Sequence, residues 1–349
     1  MAVLGAASES EIGLYPKRTQ RDAEKDEATR RRDFLAVAGV SIPLVGAGSP
    51  GRVGAADLDE MRDRFTRLQD LDNVVGGGDT FHLYFSELTR TEQMLRHGTY
   101  STSIHTALTE LAGEQAQQAG WAAFDAGFSE HALRLYRYSH RAANEADNPE
   151  LAANALIQIA YVTGEREAVV AADAACSAIG SDAPAQARAL LESRRAWSLA
   201  TVGERDGAAR ALETAARALD DETSRPAAKW FAWMNWNELD IMTGRVWSVL
   251  RDPDKATAPL NRALDSYPDQ WFRDKALYLT WLADAHLDAG NPEEAMVITQ
   301  KALASAEKVA SARPLARVQQ VAQRVAGIPG GAQLWSRARA ARVPIPTRL

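Results

Sequence analysis

A chain of 349 residues, 46% apolar and 25% charged, is long enough for two ordinary domains or for one elongated helical array. Its 40 basic residues are interspersed with 46 acidic ones for a net charge of -6, so it lacks the excess of clustered cations that phosphate neutralisation needs, and no direct nucleic-acid binding is expected from this chain alone. No run reaches the roughly 18 consecutive apolar residues of a spanning helix, which also removes a membrane partner.

Residues 1–56 read as a disordered or linker segment. Within them "ATRRRDFLAVAGVSIPLVGAGSPG" (28–51) carries a twin-arginine-like motif followed by an apolar stretch and, at "RVGA", small residues suited to cleavage before Ala56. Asp22, Glu24, Asp26 and Glu27 upstream, and Pro43 inside the apolar stretch, favour a linker. The expected localisation is therefore cytoplasmic, with export by the twin-arginine route as the alternative.

Residues 57–100 form an N-terminal helical pair, "DLDEMRDRFTRLQDLDNV" and "DTFHLYFSELTRTEQMLRHG", each with amphipathic spacing. The joining "VGGGD" lacks the Lys-Ser or Lys-Thr and the leading strand of a phosphate loop, so it reads as a flexible joint with Asp79 as the cap of the second helix.

Residues 101–326 are periodic. Glycines suited to ending one helix and turning into the next stand at Gly127, Gly164, Gly203, Gly244 and Gly290, at intervals of 37, 39, 41 and 46 residues. Seven residues before three of these turns lie Gly120, Ala196 and Ala283, and five after them Ala132, Ala208 and Ala295, small side chains that let two helix axes cross closely. At the turns of Gly164 and Gly244 the position five residues on holds Val169 and Val249, and Pro253 would break a second helix starting as early as in the other copies, so these two copies read as degenerate. "DNPEL" (147–151), "SDAPAQA" (181–187) and "GNPEEA" (290–295) each place Asp, Asn or Ser ahead of a proline suited to a first helical turn. Cys176, the single cysteine, lies in an Ala-rich run and reads as a small core residue rather than a reactive thiol. In "KWFAWMNWNELDIM", helical spacing sets Trp230, Trp233 and Asn237 on one face and Phe231 and Met234 on another, with core packing favoured over a pocket. Residues 327–349 are left as a C-terminal helix and tail.

The register resembles the tetratricopeptide repeat, most clearly in "LTWLADAHLDAGNPEEAMVITQKAL" (279–303). The resemblance implies an all-α, tetratricopeptide-like superhelix of helical hairpins whose first helices line a concave groove. Groove positions about six and ten residues before each turn are Trp121, Gln158, Trp197, Glu238 and Asp284, and Gln117, Asn154, Ser193, Met234 and Thr280. With Tyr161 these supply the candidate site: Gln117, Trp121, Asn154, Gln158, Tyr161, Trp197, Met234, Glu238 and Asp284. The amides suit an extended peptide backbone, the indoles offer flat apolar area with an N–H, and the two acids favour a basic group.

Catalytic signatures are missing. The histidines at 82, 97, 105, 131, 140 and 286 lack metal-site spacing, and neither a G-x-S-x-G elbow nor a dinucleotide fingerprint occurs, so no enzyme, metal or cofactor is expected.

The segments "RLQDLDNVVGGGDTFHLYFSELTRTEQML", "ELAGEQAQQAGWAAFDAGFSEHALRLYRYSHRAANEADNPELAANALIQIAY" and "RDKALYLTWLADAHLDAGNPEEA" resemble the C-terminal region of actinobacterial XRE-family helix-turn-helix transcriptional regulators. Upstream, "SESEIGLYPKR" is similar to the tail behind that family's DNA-binding domain, and the sixteen residues before Lys17 are too few to hold such a domain. The resemblance implies a sensor module that binds a peptide, small molecule or protein in its groove and forms a homodimer or a heterodimer with a full-length regulator. An exported tetratricopeptide scaffold mediating protein-protein interaction is the alternative.

Overall fold

The computed structural model describes residues 51–342, except 76, 229, 268–270 and 310, and within 70–79 the backbone alone. The twin-arginine-like stretch up to residue 50 and the end of the C-terminal tail lie outside the described residues. Among the latter the fold is all-α, and the one β-type contact is an isolated bridge between Arg52 and Thr99. No helix among them is long and apolar enough to cross a membrane.

Two helices open the array, α1 (Ala55–Val75) and α2 (Gly77–His97). The second begins within the glycine run, so Asp79 lies in its first turn and does not precede it as a cap. Six hairpins follow. They are α3 (Thr102–Asp125) with α4 (Ser129–Glu145), α5 (Pro149–Thr163) with α6 (Glu165–Ala178), and α7 (Ala185–Thr201) with α8 (Arg205–Leu219). After a long connector come α9 (Trp236–Val249) with α10 (Pro253–Ser266), α11 (Phe272–Asp288) with α12 (Pro292–Ala306), and α13 (Ala312–Arg324) with α14 (Gly331–Ala340). The helices of each pair pack on each other, and each first helix also packs on the first helix of the next pair, α3 on α5, α5 on α7, and so on to α13.

Small side chains at fixed offsets make the pairs close. Ala132, Ala208 and Ala295 are fully buried at the start of their second helices, as are Tyr136 and Thr299 four residues later and Ser139, Ala215 and Ala302 after those. The two copies expected to be degenerate follow the same rule with a shifted origin. At Gly164 the second helix starts immediately, so its buried small residues are Ala168, Ala172 and Ala175, one position early.

Gly244 corrects the sequence reading more deeply. It lies inside α9, and a Cβ there would collide with Leu260 Cγ and come 3.0 Å from the Ala256 carbonyl. It is therefore the small residue at a helix crossing, the counterpart of Gly120 and Ala283, and Arg251 (φ 55°) makes the turn instead. Pro253 does not break the second helix but starts it. Asp252 accepts the backbone N–H of Lys255 as N-cap, and Pro253 takes the first turn, where no N–H is needed. Counted from Arg251, Ala256, Leu260 and Ala263 fall at the regular offsets, all fully buried.

Capping follows the sequence at Asn148, whose side chain accepts from Leu151 N at 2.9 Å ahead of Pro149. Asn291 also stands at the N-cap ahead of Pro292, without a side-chain cap bond. It departs at "SDAPAQA", where Pro184 itself holds the N-cap position and the first helical N–H, of Ala185, is donated to Ser224 Oγ at 2.6 Å. Ser224 belongs to the connector, so α7 is capped by a segment thirty-nine positions away. The aromatic run "WFAWM" (230–234) is likewise connector and not helix: Asn235 caps α9 by accepting from Glu238 N at 3.1 Å, and the helix starts at Trp236.

The array curls until its ends meet. Helix α13 reaches α3, and there the Arg313 guanidinium lies 3.5 Å from the fully buried Asp125 carboxylate and over the rings of Trp121 and Phe124, at 4.8 and 5.3 Å. The inner wall thus closes on itself, and an open groove that an extended peptide could follow is replaced by an interior divided between packed side chains and a cavity.

Candidate functional site

The first helix of each hairpin turns one face inward. Toward the side formed by α9, α11 and α13, that interior is packed. Trp197 from α7 and Trp281 from α11 meet edge to face at 5.2 Å, with Arg245 over the first ring at 4.4 Å and Arg317 over the second at 4.0 Å. Asp284 accepts hydrogen bonds from both Arg317 and Arg324.

Toward α3 and α5 a cavity of about 500 Å³ remains, within the range of small-molecule sites. Gln117 and Trp121 line it from α3, Asn154, Gln158 and Tyr161 from α5, Arg194 from α7, Glu238 and Arg245 from α9, Tyr278 from α11 and Arg313 from α13. The connector brings Trp230 and Trp233 to the same cavity, and Tyr267 and Trp271 come from the segment before α11. Trp233 is 47% exposed and Trp271 36%, so these two indoles sit where the cavity meets solvent. The connector is held down by Arg225, which bonds Glu150 of α5, and by Arg188 of α7, 2.5 Å from Asp221.

Six of the nine candidate residues therefore share one cavity: Gln117, Trp121, Asn154, Gln158, Tyr161 and Glu238. The other three do not line it. Trp197 is buried beneath Arg245 and against Trp281. Met234 is core: counting back from Gly244 placed it on a helix, but it belongs to the connector and is fully buried. Asp284 is buried between two arginines. Ser193 and Thr280 are equally internal and donate to the Leu190 and Leu277 carbonyls.

The polar groups divide into those used by the fold and those left over. Gln117 donates to the Leu151 carbonyl at 3.0 Å and accepts from Asn154 Nδ2 at 2.6 Å, an amide ladder tying α3 to α5. Glu238 accepts from Arg194 at 2.7 Å and from the Tyr267 hydroxyl at 3.2 Å. Burial pushes the Tyr267 and Tyr278 phenols up, out of reach of neutral pH, so Tyr267 serves as a hydrogen-bond donor. Both acids expected to attract a basic ligand group, Glu238 and Asp284, are thus bound to arginines of this chain. By contrast, the Asn154 and Gln158 carbonyl oxygens, Arg194 Nη1 and Arg245 Nε are buried without a hydrogen-bond partner. Such atoms are costly unless something else supplies the bond.

Sequence reasoning missed Arg194, Arg245 and Arg313, and for Trp230 and Trp233 it favoured core packing over the pocket they line. One signal was present for Arg245: the "DPD" at 252–254 reads as an N-cap followed by a first-turn proline, and moving the turn to Arg251 puts Arg245 six residues before it, on the groove face.

Away from the cavity, Cys176 is only half-buried, beside Leu191 and Glu192, and burial pushes its thiol well above the usual range, first through desolvation and then through the Glu192 carboxylate.

No protein-family model and no curated protein matches this sequence.

Proposed function

We propose that the chain is the sensor half of a transcriptional regulator, a non-enzymatic, cytoplasmic module whose interior cavity takes a compact ligand. The observation that carries the ligand reading is the convergence of unpartnered buried polar atoms and aromatic walls on one cavity of about 500 Å³. Such a lining recognises and orients a ligand, and its groups are amides, guanidinium ions, phenols and carboxylates paired with arginines rather than an activated nucleophile with its base. The regulator reading draws on the sequence resemblance to the C-terminal region of XRE-family proteins.

The cavity is bounded by both ends of the array, Trp121 on α3 and Arg313 on α13, so a ligand touching both stabilises the closed ring over an opened one. Only such a difference in affinity between two states moves an equilibrium. A tetratricopeptide-like array suits this role because, apart from the closing contact of α13 with α3, its helices pack within a hairpin or on the next one, and small changes add along the stack. Contacts with a second copy or with a full-length regulator would then report the state of the ring.

The test is genetic. Deleting the reading frame in its own cell should alter a defined set of transcripts, and the wild-type gene should restore them. Gln158→Trp, which fills the cavity from a half-buried position, should not. No transcript change on deletion removes the regulatory role, and full restoration by Gln158→Trp removes the cavity from it.

A further inference from the structure

The carboxylates around the cavity are all assigned within the chain. Glu238 is bound by Arg194, Asp125 by Arg313, Asp284 by Arg317 and Arg324, and Asp274 lies 3.5 Å from Arg273. Arg245 is left over. It lines the cavity, is 5% exposed, and among the described residues has no carboxylate partner. Its nearest polar neighbours are neutral: the Tyr161 hydroxyl at 3.4 Å and Met242 Sδ at 3.3 Å, and its Nε has no acceptor at all. The rings of Trp197, Tyr161 and Trp281 offset part of the cost of burying it, at 4.4, 6.0 and 5.7 Å. A ring face does not accept the in-plane N–H bonds of a guanidinium, and a buried cation without an anion is an arrangement that folded chains avoid.

The rest of the lining describes what would accompany an anion. Trp121, Trp230, Trp233 and Trp271 give flat apolar walls, while Arg194 Nη1 offers a second donor and the Asn154 and Gln158 oxygens await donors. We propose that the cavity binds a compact organic acid with a planar apolar body, its carboxylate seated on Arg245 and its ring or chain between the tryptophans. A carboxylate matches the fork of a guanidinium in charge and geometry. The inference rests on the cavity being a ligand site and adds the charge that the ligand must carry.

The test is calorimetric titration of the full chain with 1-naphthoate and with its neutral isostere 1-naphthamide. The acid is expected to bind at least about tenfold more tightly, the difference between a charge-assisted and a neutral hydrogen bond. In Arg245→Met, which keeps an unbranched apolar stem and removes the guanidinium, the two affinities should converge. An acid preference that persists in Arg245→Met overturns the inference. The wild-type comparison needs no variant to fold. N-acetylphenylalanine against its amide repeats the measurement with the carboxylate of a peptide end. Whichever acid binds more tightly identifies a free acid or a peptide terminus as the source, and no preference for the acid in either pair overturns the proposal. None of these outcomes bears on the transcript test, so a failed charge assignment is separable from a failed regulatory role.

Discussion

Asp125→Asn tests the closure of the ring. The carboxylate is fully buried and 3.5 Å from Arg313, an ion pair across the contact between α3 and α13. Removing one partner of a buried pair costs about 3–5 kcal/mol because the other charge is left uncompensated. Two features of this site lower that figure. Arg313 keeps the Trp121 and Phe124 rings at 4.8 and 5.3 Å, and desolvated cation–π contacts are worth up to about 2 kcal/mol. Asp125 is also the last residue of α3, where a negative charge opposes the helix dipole by about 0.3–1 kcal/mol, and Asn relieves this. The expected net cost is about 1–3 kcal/mol. In an array stabilised by neighbour contacts the loss falls on the closing interface and leaves the individual hairpins intact.

Hydrogen exchange resolved along the chain, with small-angle scattering, reads this directly. Amides of α13, α14 and the end of α3 should exchange faster by about tenfold per 1.4 kcal/mol, the hairpins α5 to α8 should be unchanged, and the radius of gyration should rise. Replacing both partners, Asp125→Leu with Arg313→Met, should recover most of the protection, since an apolar pair leaves no buried charge. If Asp125→Asn changes neither exchange in α13 nor the radius, the ends are held by apolar packing alone, and the ion pair is not the latch.

Gly244→Ala should destabilise by about 1–2 kcal/mol in urea titrations followed by circular dichroism, because overpacking against Leu260 outweighs the gain in helix propensity of about 1 kcal/mol. Leu260→Ala in the same chain should abolish that cost, and strict additivity of the two changes would place Gly244 away from the α9–α10 crossing. Asp252→Ala should cost about 1 kcal/mol at neutral pH through the lost cap of α10. Desolvation, which would raise the Asp252 pKa, is outweighed by hydrogen bonds from Arg205 and the Lys255 N–H and by the charges of both, so the folded value lies below the usual carboxylate range. The contribution of this group is therefore fully present above the unfolded pKa of about 3.9 and lost as pH falls through the folded value. Urea midpoints of wild type and variant should converge in acid, and a gap that stays constant there would show that the carboxylate charge plays no part.

How far the sequence could be read depended on the range of each interaction. Hairpin starts at Asn148-Pro149 and Asn291-Pro292 and the buried small residues at Ala132, Ala208 and Ala295 are fixed within one turn of helix, and local spacing reveals them. Gly244 shows the limit of that approach. A glycine at a tight crossing and a glycine at a turn look alike in a list of residues, and the long connector before α9 removed the regular interval that would have told them apart. Trp230 and Trp233 were given helical faces for the same reason, although an Asn-Trp-Asn-Glu start at 235–238 contains the capping residue that places the helix after them. The cap of α7 by Ser224 and the meeting of Asp125 with Arg313 had no local signature. Each joins segments that become neighbours only once the array has curled.

The charge of the candidate site shows the same dependence in its sharpest form. Asp284 stands at an inward repeat position and Glu238 seven residues before Arg245 on the inner face of α9, and alone they describe a cavity for a cation. Each has an arginine from the next inner helix within hydrogen-bonding reach, Arg194 from α7 and Arg317 from α13, so neither offers its charge to a ligand. What a ligand meets is the remainder after internal pairing, and that remainder is set by the one inward arginine whose neighbours are Tyr161, Trp197, Trp281 and Met242. A site assembled from eight helices takes its sign from which pairs the packing permits and not from the charges it contains. Here the packing leaves a guanidinium, and the expectation moves from a basic ligand to an acidic one.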